Sequence, residues 1–133
     1  MNMHTMDVEN FTAELGPLLK EHGFRKQHLN WRKDLGESIA VLNVQISPWG
    51  DRSYYVNVGV YLKVLGTELA PPHNRCHVQE RLAVELPESV ANAALEWFDE
   101  RANVQLLAQL HGIGRLRGKG LVFQEVIHAI NAL

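Results

Sequence analysis

The strictest pattern in the chain runs from Ser38 to Leu65, SIAVLNVQISPWGDRSYYVNVGVYLKVL, where two alternating runs flank a cluster of turn-forming residues. Ala40, Leu42, Val44 and Ile46 share one parity, as do Val56, Val58, Val60 and Leu62. The other parity carries Ile39, Val41, Asn43, Gln45 and Ser47, then Tyr55, Asn57, Gly59, Tyr61 and Lys63. Successive side chains of a strand point to opposite faces, so this is a β-hairpin with one aliphatic face and one amide-and-aromatic face. Paired residues must share a face. With Trp49–Ser53 as the loop, Ile46 pairs with Val56, Val44 with Val58, Leu42 with Val60 and Ala40 with Leu62. The same register sets Gln45 opposite Asn57, Asn43 opposite Gly59, and Val41 opposite Tyr61. Gly59 bares backbone that a close-packed neighbour or a ligand can use. The plainer reading of the polar face is that it is solvated.

Outside the hairpin the period lengthens. Val8, Phe11, Leu15, Leu18, Leu19 and His22 recur at helical spacing, with Asp7 in the N-cap position and Gly23 where a left-handed C-cap belongs. Pro17 has no N–H and its ring crowds the preceding turn, which predicts a kink, or a break with Pro17 opening a second short helix. Residues 24–33 read as one strand with Leu29 and Trp31 on one face, followed by a turn at 34–37. Residues 66–75, with two prolines, read as a surface loop, and 76–86 as a fourth strand through Val78, Leu82 and Val84. A helix is predicted over 87–98 with Val90, Ala94, Trp97 and Phe98 inward. Asn103 caps a short helix to Leu110, and a last helix spans 121–132 through Phe123, Val126, Ile127 and Ile130. The order predicts an α+β fold: one antiparallel sheet of three to four strands built on the hairpin 38–65, with the N-terminal and C-terminal helices packed on one face. Residues 1–133 form a single globular domain.

Composition narrows the class further. Apolar residues make up 46% and charged residues 21%, the balance of a folded domain rather than a disordered chain. A formal net charge of −2 argues against general nucleic-acid binding. The single cysteine, Cys76, has no partner for an internal disulfide. No apolar run approaches the roughly 18 residues of a membrane span, and MNMHTMDVEN lacks the basic start and apolar core of a signal peptide. A cytoplasmic protein without a membrane association is the expectation.

Several constellations invite chemical readings. His73-Asn-Arg-Cys76-His77 holds metal-ligating residue types, but adjacent Cys76 and His77 point to opposite faces of a strand and cannot share one ion, so no metal is expected. A Cys76 nucleophile served by His22, His28 or His111 has no local mark in its favour. The glycine-rich loop Gly112–Gly120 fails the spacing of a Walker loop and lacks its hydroxyl residue. Arg25, Lys26, Arg32 and Lys33, with Arg75 and Arg81, would gather into an anion-holding patch if the first and fourth strands lay side by side. Protection of edge strands is the plainer account of those charges. Asp51, Glu68, Glu80 and Glu85 are too scattered to define an acid–base pair.

The N-terminal helix, the GFRK segment at 23–26, Trp31, the VLNVQISPWG and YYVNVGVYL runs and the CHVQERL segment occur here in an order that resembles the domain-of-unknown-function 4304 family. The resemblance covers roughly residues 10 to 85, with Trp97-Phe98-Asp99 beyond it. It implies a fold and a mostly bacterial, single-domain habit, and no established activity. The family's recurrent polar positions correspond here to Asn43, Gln45, Trp49, Asn57, Gly59, Tyr61, Cys76, His77 and Arg81. The leading expectation is a non-enzymatic, regulator- or immunity-like binding domain. Its candidate binding residues are Asn43, Gln45, Trp49, Tyr55, Asn57, Tyr61, His77 and Arg81, it uses no cofactor, and its partner is a protein or a small molecule. A homodimer through an edge strand or Trp49 is a further expectation. The rival is an enzyme for a small anionic or nucleotide-like substrate, in a groove near Asn43, Tyr61, His77 and Arg81.

Overall fold

Alternation at the centre of the chain produces two long paired strands, β3 (Ser38–Ile46) and β4 (Tyr54–Leu62). The structure, a computed structural model, describes residues 6–133; the first five residues of the segment read above as lacking a signal peptide lie outside them. The faces are as parity requires, but the register differs from the expected one by two residues. Ala40 pairs with Val60, Leu42 with Val58, Val44 with Val56, and Ile46 with Tyr54. Parity permits both registers, and the hairpin tip selects between them. Asp51 accepts hydrogen bonds from Ser53 N (3.1 Å) and Oγ (2.8 Å), while Gly50 and Arg52 take positive φ. Ser47 N donates to Ser53 O at 2.9 Å, so the second strand opens at Tyr54. Tyr54 then faces inward, its ring 5.2 Å from Phe11 and its hydroxyl donating to Met6 O. Ile46, expected in the core, is 50% exposed beyond it.

Among the described residues the sheet has six strands, two more than the upper expectation. Residues 24–33 do not form one strand. They fold into β1 (Arg25–Gln27) and β2 (Asn30–Asp34) around His28, whose φ of 56° turns the chain without a glycine. Such a conformation is uncommon outside glycine, which is why the run reads as continuous. β5 (Val78–Leu82) borders β4, and a two-residue strand, β6 (Leu121–Val122), borders β5. The spatial order is β1-β2-β3-β4-β5-β6, antiparallel throughout.

Among the described residues four helices cover the aliphatic face. α1 (Val8–Glu21) starts on Asp7, whose carboxylate accepts from Asn10 N at 2.8 Å, and ends before Gly23 at φ 90°. It runs through Pro17 without a break, so Pro17 opens no second helix. An internal proline costs a helix about 3 kcal/mol. Phe11, Leu15 and Leu19 are fully buried, and at roughly 2 kcal/mol each they outweigh that cost. α2 (Pro87–Asp99) opens on Pro87, α3 (Val104–Gly112) is capped by Asn103 Oδ1 accepting from Leu106 N at 2.9 Å, and α4 (Gln124–Asn131) follows β6. Phe98, Leu107 and Val126 carry these helices into the same core as Leu42, Val58 and Val60. No helix among the described residues is long and apolar enough to cross a membrane.

The second face of the sheet is not uniformly open. The connection 63–77, which contains 3-10 turns at Lys63–Leu65 and His73–Arg75, lies across it. Ile39, Val41 and Tyr61 of the sheet form a second buried cluster with Cys76 of this strap. Arg32 Nε donates to Pro71 O (2.8 Å), and Tyr61 Oη accepts from Glu68 N (3.1 Å). Gly59 makes the fit: a Cβ there would stand 2.7 Å from Cys76 Cβ and 2.8 Å from its Sγ. Gly59→Ala should therefore lower stability by about 1–3 kcal/mol through overpacking, read as a lower urea midpoint. An unchanged midpoint would show that the strap does not press on the sheet.

Candidate functional site

The uncovered half of the second face carries one register row of polar residues: Asn30 beside Asn43, Asn43 beside Asn57, and Asn57 beside Arg81. Their side chains form a directed ladder. Arg81 Nε donates to Asn57 Oδ1 (3.2 Å), Asn57 Nδ2 donates to Asn43 Oδ1 (3.1 Å), and Asn43 Nδ2 donates to Asn30 Oδ1 (2.9 Å). Arginine has donors only, so Asn57 must turn its oxygen toward Arg81 and its amide nitrogen toward β3. That choice propagates across four strands. Gln45, one row nearer the hairpin tip, accepts from Asn57 Nδ2 (3.1 Å) and Arg81 Nη2 (3.4 Å). The Arg81 guanidinium lies 4.2 Å from the centre of the Tyr55 ring. Asn57 is 5% exposed, while Asn43, Gln45 and Tyr55 are half-buried and Arg81 is exposed.

The structure thus brings together Asn43, Gln45, Tyr55, Asn57 and Arg81 from the expected set. Gln45 and Asn57 are not directly opposed, because the register shift makes them diagonal neighbours, which still lie within reach across a strand pair. Asn30 was not foreseen. Its signal was its parity with Arg32 on the same strand. Trp49 sits apart at the hairpin tip, 85% exposed.

Tyr61 and His77 belong to a different recess, of about 570 Å³, shared with Glu68, Arg75, Phe123 and Glu125. His77 Nδ1 accepts from Leu62 N at 2.9 Å, so the neutral ring carries its proton on Nε2. Its ring lies 4.6 Å from Tyr61 and 5.8 Å, edge-on, from Phe123. Burial holds His77 below the ordinary histidine range; burial and then Arg81 do the same to His73. His73 borders a third recess, of about 350 Å³, with Asn57, Gln79, Arg81 and Lys119. Lys119 is the one residue of the glycine-rich loop 112–120 whose charge reaches the ladder's neighbourhood.

Cys76 is fully buried and its thiol is pushed up to about 12, chiefly by burial. A thiol in that state supplies no thiolate at neutral pH. His22, His28 and His111 are exposed, whereas Cys76 is fully buried. No group of three His, Cys, Asp or Glu side chains converges among the described residues. The basic groups of β2 and β5 do not merge as neighbours, because β3 and β4 lie between them. Arg75 is paired with Glu68 (2.8 Å) and Arg32 is spent on Pro71 O and Gln27 Oε1.

A family model described as "Domain of unknown function (DUF4304)" matches residues 15–110, reaching past the hairpin through α2 into α3. No curated protein and no solved structure matches the chain.

The ladder has measurable consequences for stability. Asn57→Ala strands Asn43 Oδ1 and leaves a buried gap, and should cost about 1–3 kcal/mol, whereas the more exposed Gln45→Ala should cost under about 1 kcal/mol. Urea midpoints rank the two, and equal costs would contradict the ladder. Acid titration tests the histidines. The native state resists protonating His73 and His77, while the unfolded chain takes up protons below about pH 6.5. Stability should therefore fall as pH drops from about 7 to 5, before exposed carboxylates titrate, and His77→Gln should flatten the slope. A melting temperature constant over that window would contradict the buried, neutral His77.

Proposed function

Because the chain belongs to the DUF4304 family, whose description assigns it no activity, we propose from its geometry that it is a non-catalytic binding module that recognises an acidic side chain of a partner protein through Arg81. The observation that carries this reading is the state of Arg81. It is exposed and takes part in none of the ion pairs among the described residues, yet Tyr55, Asn57 and Gln45 hold it in place. An arginine oriented in advance loses little side-chain entropy on pairing with a carboxylate, and its remaining donors suit a bidentate contact. Lys119, across the neighbouring recess, adds a second positive charge. Tyr55 supplies a rigid aromatic contact at the centre of the strip. A partner of the regulator or immunity type would offer an acidic surface of this kind.

The test is quantitative affinity capture from the source cell with the wild type, Arg81→Ala and, as a control for non-specific charge, Arg115→Ala. A partner that recognises the strip should be depleted about tenfold by Arg81→Ala and unaffected by Arg115→Ala, with both variants folded at the capture temperature, although Arg81→Ala melts lower than the wild type because it strands Asn57 Oδ1. Partners retained equally by all three proteins would overturn the reading.

A further inference from the structure

We propose that the groove between α1 and the β1–β2 hairpin, on the opposite side of the sheet from the amide ladder, binds small apolar carboxylates. It has a volume of about 880 Å³ and is the largest of the recesses described here. That size is within the range of small-molecule sites, which combine an apolar lining with a few polar groups. Its floor is Phe24 and Trp31, with Ala13 and Gly16 on the helix wall. Its rim holds three cations, Lys20, Arg25 and Lys26, against one carboxylate, Glu9. None of the three cations takes part in an ion pair among the described residues.

Trp31 is 1% exposed and lines the groove. A buried aromatic ring beside rim cations suits a ligand whose acceptor lies near an apolar body. Lys26 Nζ stands 5.7 Å from the same ring, which places positive charge directly over the floor. Gly16 gives independent support. A Cβ there would meet only Trp31 Nε1, at 3.8 Å, an ordinary contact. Alanine would therefore fit and would favour the helix, yet the chain keeps glycine there, next to Pro17. A methyl at Gly16 would stand over the indole N–H and narrow the groove.

Charge complementarity selects the occupant. An apolar acid lays its hydrocarbon on Phe24 and Trp31 and directs its carboxylate to the lysines. An alcohol forfeits the charge-assisted bonds, and an amine is repelled.

The test uses the full chain and octanoate, below its micelle-forming concentration, with 1-octanol and octylamine as comparisons. Binding is followed through the indole N–H signals of the chain's three tryptophans, Trp31, Trp49 and Trp97. Octanoate should shift Trp31 saturably, and octanol should bind about tenfold more weakly or worse. Lys20→Ala with Lys26→Ala should lower octanoate affinity about tenfold. Gly16→Ala should lower that affinity at least roughly threefold while raising the melting temperature, a pairing that a merely structural role for Gly16 would not produce. Octanol binding as tightly as octanoate, shifts confined to Trp49 or Trp97, or unchanged binding by Gly16→Ala would each overturn the proposal. So would a Trp31 shift that follows protein concentration without octanoate, because a second copy of the chain would then be the occupant.

Discussion

Contact between Gly59 and Cys76 determines how the second face of the sheet is used. Without a side chain at Gly59, Cys76 seats directly on β4, and the strap that carries it closes over Ile39, Val41 and Tyr61. Secondary anchors follow from that seat. Arg32 reaches Pro71, Glu68 N reaches the Tyr61 hydroxyl, and His77 returns to the sheet by donating from its backbone to Val60 O at 3.0 Å. The sheet is thus covered by four helices on one side and by a loop over half of the other. What remains open is the strip between the strap and the hairpin tip.

Within that strip, polar groups satisfy one another in a fixed direction. A row of neutral amides on a half-buried face would cost stability if its donors and acceptors were mismatched. Arg81 removes the ambiguity, since it can only donate, and each amide behind it is oriented in turn. The proposed recognition function and the stability of the face therefore rest on the same bonds. The carboxylate groove on the helical side shares no residue with this strip.

How much of this was legible from residues alone follows from which interactions are local. Period-two alternation is local, so the aliphatic face from Ala40 to Leu62 could be read directly. Helix caps at Asp7 and Asn103 could be read for the same reason. Register could not, because parity leaves slips of two residues equally good, and only the Asp51–Ser53 turn decides between them. The β1–β2 hairpin was hidden by His28, a turn without glycine, and β6 is two residues whose pairing is a backbone matter. The division of the polar face did leave a trace. Ile39 and Val41 are apolar residues on the parity otherwise given to amides, and they mark the half that the strap covers. Tyr61 and His77 were grouped with Arg81 because the strap, which separates them, has no periodic pattern to announce it.

Side-chain amide hydrogen exchange in the native protein tests the ladder most directly. Both Nδ2 protons of Asn57 are engaged, one with Asn43 and one with Gln45, and Asn43 Nδ2 reaches Asn30 Oδ1 and Leu29 O. Among the described residues Gln45 takes part only through its oxygen, and its own amide protons have no partner there. The Nδ2 protons of Asn57 and Asn43 should exchange roughly tenfold or more slowly than the Nε2 protons of Gln45. Exchange of all three amides at the same, solvent-like rate would contradict a directed ladder and, with it, the oriented Arg81 on which the proposed function stands.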